Sequence, residues 1–395
     1  MISLNEPNII NEDSKRLSKL LKSKKLVDGF YQNKTQKLIK NILKVKFVAL
    51  TQSCSDALEA GSLILGLKKG DEVLVPSFTF TSTVNSFMMF GAKPIFVDID
   101  KKTLNIDLDD LKKKITPKSR ALYLVHYGGI SCDLDKLKKI VNKHKLFLLE
   151  DTAHGFLGKY KNKFLGTFGD ISTFSFHATK NFTGGQCGAL VINNKKLLKN
   201  ADYILDKGTD RREKLSYKKN FLETSLLNKN YYSWRSLGSE YRASEISACL
   251  LYGQLLRRNK IQSVRKKFWL KYYNFFKRYD NNLINLIKIE HNISQSYHQF
   301  VIILKDKYLA NKLINFLQKY KITATFHYVP LHSSPFIKKN FKRKIVLKKT
   351  EEIYSKLVRL PLHSNLKEKE VNFVIRKIKS FIISQNIDKK KLNLS

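Results

Sequence analysis

The chain has 395 residues, 43% of them hydrophobic and 11% aromatic, with 74 Lys and Arg against 33 Asp and Glu, a formal net charge of +41. This length is too great for one small core and predicts two domains, and the apolar content excludes a disordered chain. The excess charge is mostly Lys, spread along the whole chain beside heavy use of Asn, Ile and Phe, so it reads as a solvated surface. No basic helix carries the aromatic interleaving of a groove reader, so no specific nucleic-acid partner is expected, only salt-sensitive adhesion to polyanions.

The N-terminus, MISLNEPNII, lacks a basic n-region and a long apolar h-region, and no apolar run is long enough to span a bilayer. The first forty residues mix helical pattern with DGF at 28–30 and belong to neither layer on pattern alone. From about residue 45, short apolar runs read as buried strands: FVAL (47–50), EVLVP (72–76), PIFVD (94–98), ALYLV (121–125), LFLLE (146–150), STFSF (172–176) and GALVI (188–192). Helical patterns such as SDALEAGSLILGL, TSTVNSFMMFG and DLDKLKKIVNKHK lie between several of them, which predicts an α/β layer with a mostly parallel sheet. The last two runs follow one another without a helix, so part of the sheet is expected to be antiparallel.

After about residue 240 the texture changes. A long helical segment from Ser244 is followed by a strand-like YHQFVIIL, a helix near KYLANKLINFLQKY, TATFHYV, and an amphipathic KEKEVNFVIRKIKSFI. This predicts a large domain over 1–240 and a smaller α+β domain over 241–395, its polar tail fraying after Ile383. The four cysteines, Cys54, Cys132, Cys187 and Cys249, lie far apart with no C-x-x-C pair, as expected of reduced thiols in a cytoplasmic protein. No His, Asp or Glu spacing resembles a metal site, and the Gly-Gly at 184–185 reads as a turn.

Two motifs carry chemistry. EDTAHG (150–155) places Asp151 at the C-terminal end of a predicted strand, the edge at which open α/β sheets bind ligands. SFHATKNFTGG places Lys180 just past another strand end, 29 positions on, in an apolar and glycine-rich setting unlike the solvated lysine runs elsewhere. An acid and an amine at one sheet edge make either a salt bridge or a grip on an electron-sink cofactor. Pyridoxal phosphate requires a desolvated lysine, an anion beside its pyridinium nitrogen, phosphate donors and a flat surface against its ring. Asp151 fits the anion. Ser53, Cys54 and Ser55 open a predicted helix and fit the phosphate through free backbone N–H groups, a position that ordinary N-capping explains as well. Ser175 offers a further hydroxyl donor, and Phe80 in PSFTFTST fits the ring, though alone it reads as core. Of the other histidines, His126 in VHYGG is a substrate contact or a hydrogen-bonded strand-end histidine, and His144 and His363 read as surface or packing positions.

GDEVLVPSFTFTSTVN, KPIFVDID, HYGG, LLEDTAHG, SFSFHATKN with Gly-Gly, and FHYVPLH occur in that order, and with them the chain resembles the DegT/StrS family of pyridoxal-phosphate nucleotide-sugar aminotransferases over residues 1 to about 383. The resemblance implies a fold-type I transferase, with a seven-stranded mostly parallel sheet between helices and a smaller C-terminal domain. It makes Lys180 the Schiff-base lysine and proton shuttle, pairs Asp151 with the pyridinium nitrogen, and sets His154, where many members have Gln, against the ring's oxygen edge. Ser175, Cys54 and Ser55 would hold the phosphate and Phe80 would stack on the ring. His327 and Tyr328 would line the sugar-nucleotide side, with Arg211 toward its diphosphate. LTQSCS, DIDKKTLNID, VHYGGISCDLD, DKGTDR and TFHYVPLHSSP are similar to members that use L-glutamate to aminate C4 of dTDP-4-dehydro-6-deoxy-D-glucose for surface polysaccharide. A homodimer with active sites at the interface is implied too. Many members carry Asn in a G-x-N-Y-R stretch that reaches the neighbouring subunit's cofactor phosphate; GSEYRASE puts Glu240 there, and a carboxylate repels a phosphate unless it is turned aside or neutralised, for instance by Arg242. The alternatives are amination of a UDP-linked sugar or at C3, and a non-catalytic basic binding protein. Relatives that dehydrate the sugar replace the lysine by His, and Lys180 is present here.

Overall fold

The computed structural model describes residues 1–27, 29–211, 232–278, 283–341 and 344–392. Asp28 of the DGF stretch and the last three residues of the tail lie outside the described residues. The seven expected strands are present: β1 (Phe47–Thr51), β2 (Glu72–Pro76), β3 (Lys93–Val97), β4 (Ser119–Val125), β5 (Phe147–Asp151), then, after a short hairpin β6 (Lys159–Tyr160) and β7 (Lys163–Phe164), β8 (Ile171–Ser175) and β9 (Gly188–Ile192). They form one sheet in the order β1-β9-β8-β5-β4-β2-β3. The pairs β2/β3, β2/β4, β4/β5 and β5/β8 are parallel, whereas β9 runs antiparallel to both β8 and β1. The consecutive runs with no helix between them are thus the antiparallel pair. β8 and β9 are buried along their whole length, which accounts for sequences without polar alternation.

The helices between the strands form for local reasons. The helix Leu134–Lys143 begins where the Asp133 carboxylate accepts the N–H groups of Asp135 and Lys136, both at 3.1 Å, and buries Leu134, Leu137, Ile140 and Val141 on one stripe. The helix Cys54–Ile64 is capped by Ser53, which accepts from the Asp56 N–H at 3.1 Å and donates to the Asp56 carboxylate at 2.7 Å. It lies so close to β9 that a Cβ on Gly188 would come within 2.4 Å of the Ser53 carbonyl carbon and oxygen. The helix N-terminus is therefore pressed onto the sheet edge.

The long C-terminal helical pattern divides at Arg257 into Glu245–Leu256 and Arg258–Phe276. The first piece packs with the N-terminal helices Asn11–Ser23 and Phe30–Leu43 against the large sheet. Buried Asp13 ties this corner together by accepting from Arg257 twice at 2.8 Å and from Arg16 at 3.1 Å. A second core surrounds β10 (Ile284–Leu286), β12 (Phe300–Leu304) and β13 (Leu357–Leu360), an antiparallel sheet; β11 (Ile293–Ser294) joins the β6/β7 hairpin instead. TATFHYV contributes no strand, only a bridge from Thr325 to Arg359, and the third strand is LVRL. The closing helix runs Glu368–Leu392, past Ile383.

Glu150, beside the site, has a structural task. Its carboxylate is fully buried and accepts from His126 Nε2 at 2.8 Å and from the N–H groups of Gly166, Phe168 and Gly169 at 2.9, 2.7 and 2.6 Å. Burial works to raise its pKa, but His126 and these N–H groups outweigh burial and hold it below the ordinary carboxylate value. Of the two readings of His126, the hydrogen-bonded strand-end histidine holds, and the loop that Glu150 anchors passes directly beneath β5. Glu150→Ala leaves four donors, three of them buried, without an acceptor and should cost about 3–5 kcal/mol in urea unfolding. A loss below about 1 kcal/mol would show that the loop is held by other contacts.

Candidate active site

Because β5 and β8 are adjacent and parallel, their C-terminal ends share one edge of the sheet. Asp151 closes β5 opposite Thr173, and the chain leaving β8 reaches Lys180 five residues beyond Ser175. That loop is pinned by Phe176 N–H donating to the Cys187 carbonyl at 2.8 Å and Gly184 N–H donating to the Phe176 carbonyl at 2.9 Å. Gly184 has no room for a side chain, since a Cβ would meet Ser247 O at 2.8 Å, and Gly185 holds a φ of +81°. The Gly-Gly is a turn that presents Lys180 to the edge.

Above this edge lies a cavity of about 760 Å³. Lys180, Asp151, His154, Ser175, Cys54, Ser55, Phe80, His327 and Tyr328 all line it. The geometry thus gathers nine of the ten expected site residues in one place. Arg211 is not with them: it is an exposed residue at the end of the described segment beyond the helix Ala201–Leu205. In that region Asp210 turns away to accept from Ser233 N–H at 2.7 Å and from Arg235 at 2.8 Å. Glu240 is also outside the cavity. Its carboxylate pairs with Lys207, and Arg242 pairs with Asp202 at 2.6 Å instead. His144 is exposed, and His363 is buried within 3.4 Å of the Ser3 hydroxyl.

The two charged groups at the centre are kept apart by their own surroundings. Asp151 Oδ2 accepts from the Thr83 hydroxyl at 2.7 Å and Oδ1 from Ala153 N–H at 3.1 Å; burial still raises its pKa. Burial lowers the Lys180 amine to about 8, with the Arg359 guanidinium adding to the effect. Among the described residues, no carboxylate lies within ion-pair distance of Lys180. The cavity therefore holds an acid and an amine that attract each other across it without closing into an ion pair.

Three imidazoles line the same wall. His154 stacks on His298 at 4.3 Å between centroids, and His327 lies nearly parallel to His154 at 6.3 Å. Burial drives His154 and His298 well below the usual histidine range, with Lys180 contributing to both, so both are neutral. His154 Nδ1 accepts from Gly128 N–H at 3.3 Å, which leaves the ring proton on Nε2, the nitrogen that faces the Tyr328 hydroxyl at 3.4 Å. His298 is oriented by Asn181, whose Oδ1 accepts from Nδ1 at 3.0 Å while its Nδ2 donates to Ser296 O at 2.7 Å. Asn181 follows Lys180 directly, so this pair ties the lysine loop to the second core.

Sequence reasoning missed Thr83, Asn181, His298 and Arg359. Thr83 was visible in TFTST as a hydroxyl near a helix start. His298, two residues before β12, and Arg359, within β13, reach the site from the second sheet, in stretches with no local signal for chemistry.

Comparison with known proteins follows the same lines. The family model described as the DegT/DnrJ/EryC1/StrS aminotransferase family matches residues 7–379. An uncharacterized protein of Methanocaldococcus jannaschii is 31% identical over 96% of this chain and 97% of its own length. The GDP-perosamine synthase of Escherichia coli O157:H7 is 27% identical over 96% of this chain and 98% of its own. Among solved structures, Helicobacter pylori PseC, an aminotransferase involved in the biosynthesis of pseudoaminic acid, superposes with a TM-score of 0.86 at 26% identity, covering 97% of this chain and 99% of that one. With a mostly parallel seven-stranded sheet of fold-type I and a match over nearly its whole length, this chain belongs to the DegT/DnrJ/EryC1/StrS family of pyridoxal-phosphate-dependent aminotransferases.

Proposed function

We propose that the cavity holds pyridoxal phosphate on Lys180 and moves an amino group from L-glutamate to C4 of dTDP-4-dehydro-6-deoxy-D-glucose, releasing 2-oxoglutarate and dTDP-4-amino-4,6-dideoxy-D-galactose. The observation that carries this reading is the pair of unneutralised groups, Lys180 and Asp151, in one desolvated cavity. The residues fit the cofactor in each of its parts. Asp151 is a buried acid whose raised pKa a pyridinium cation would reverse. The backbone N–H groups of Cys54 and Ser55 at a helix N-terminus, with the Ser175 hydroxyl, suit a phosphate dianion. His154 carries its proton on Nε2 and suits the ring oxygen as a donor. Phe80, 58% exposed at the cavity, offers a flat face.

Bound pyridoxal phosphate supplies an electron sink and carries the amine from one substrate to the other. The protein's own groups do the rest. Lys180 takes the proton from Cα of the amino donor and delivers one to C4 of the sugar, a task suited to an amine titrating near 8. Asp151 keeps a proton on the ring nitrogen. His327 and Tyr328, stacked at 4.3 Å, form the wall on the sugar side.

The choice of C4 and of dTDP rests on LTQSCS, VHYGGISCDLD and TFHYVPLHSSP. A second reading, a GDP-linked sugar, is favoured by the likeness to a GDP-perosamine synthase. Exposed Phe80, Phe326 and Val329 at or beside the cavity suit a second copy of the chain closing over it, which supports the homodimer reading. Four free cysteines support a cytoplasmic location; among the described residues no helix is long and apolar enough to cross a membrane.

Two results test this function. In a panel of dTDP-, UDP- and GDP-linked 4-keto and 3-keto sugars with L-glutamate, product analysis by NMR should show amination at C4 of the dTDP substrate, with the amine axial as in galactose. Turnover of the GDP sugar alone would select the second reading, and turnover of none would reject both. The rate at which apoprotein captures pyridoxal phosphate should rise with pH and level off above a midpoint near 8, because only the neutral Lys180 amine attacks the aldehyde. A midpoint near 10 would place the capturing amine in solvent instead.

A further inference from the structure

Among the described residues, Arg359 is a buried cation with no carboxylate partner. It is the third residue of β13 and is only 4% exposed, yet it lines the same cavity as Lys180. Its guanidinium donates to His327 Nε2, and its Nε is buried without an acceptor. Because His327 accepts on Nε2, its proton sits on Nδ1, which is likewise buried and unpartnered. Among the described residues no carboxylate lies within ion-pair distance of Arg359, and burial pushes its pKa below the usual arginine value. The one carboxylate among the described residues that line the cavity is Asp151, which accepts from Thr83 and Ala153. Leaving a guanidinium desolvated and unpaired is unfavourable unless an anion completes it.

Two other anion positions can be set apart. The helix N-terminus at Cys54 is the place suited to a phosphate and belongs to a different strand end, that of β1. Arg265, a neighbouring buried cation, is not among the residues lining the cavity and donates to the backbone at Tyr297 O, 3.0 Å, and His298 O, 2.6 Å. Arg359 is thus a cavity-lining cation with a donor open to a substrate. A planar fork with unfilled N–H donors matches a carboxylate, which it binds through two parallel hydrogen bonds.

We propose that Arg359, oriented by His327, binds a carboxylate of the amino donor and so sets the site's preference for an acidic amino acid; the inference rests on the aminotransferase reading above. The two half-reactions separate this role from the rest of the site. In the holoenzyme, loss of the cofactor's yellow colour on adding L-glutamate reports the first half, and its return on adding keto sugar reports the second. Arg359→Gln should raise the half-saturating glutamate concentration roughly 10- to 100-fold while moving that of the sugar less than about threefold. Arg359→Lys keeps the charge but loses the fork and should lie between Gln and the native residue. If the Gln variant fails to fold, Lys carries the comparison. A binding measurement needs no variant: native holoenzyme should bind glutarate at least about tenfold more tightly than its uncharged diamide in calorimetry. Equal weakening of both half-reactions, a shift confined to the sugar, or no preference for glutarate would overturn the proposal. Because the glutamate half needs no sugar, a wrong sugar assignment leaves this test intact.

Discussion

The site depends on a separation of charge that the sheet enforces. Asp151 and Lys180 leave two adjacent parallel strands at the same edge, where an acid and an amine would ordinarily pair. Here the acid is occupied by Thr83 and Ala153, and the amine is held by a loop closed between Phe176 and Cys187. Neither group is left free to collapse onto the other. Each is shifted toward its neutral form by burial, the acid upward and the amine downward. A cationic ring beside Asp151 would favour its carboxylate, and the neutral amine that burial favours at Lys180 is the form that reacts with an aldehyde.

The surrounding structure holds that arrangement rigid. Glu150, one residue before Asp151, ties the loop to β5 through four hydrogen bonds, three of them buried. Gly188 lets the Ser53–Ser55 helix start press onto the opposite strand end. Asn181 links the lysine loop to His298 and Ser296, and β13 brings Arg359 to the cavity from the second core. The two cores thus meet at the cavity, and each supplies part of it.

Much of this was legible in the sequence because it is local. The seven strands were visible as unbroken apolar runs, and STFSF followed directly by GALVI foretold the antiparallel pair. Asp151 and Lys180 were recognisable because each follows a buried strand within a few residues. What escaped depends on tertiary approach. LVRL reads as one more short apolar run, and only its pairing with β12 turns Arg359 into a cavity residue. TATFHYV has strand composition but crosses between the cores and forms only a bridge. Arg211, an exposed residue, is not among those that line the cavity. Glu240 needed no cofactor to account for it, since Lys207 lies beside it, a contact no spacing rule would give.

The central claim is that one lysine among the many in this chain carries the cofactor. Holoenzyme reduced with borohydride, digested and sequenced by mass spectrometry puts that to the most direct test. The account predicts a single pyridoxyl label, on the peptide that contains Lys180. A label on another lysine, or spread over several, would contradict it.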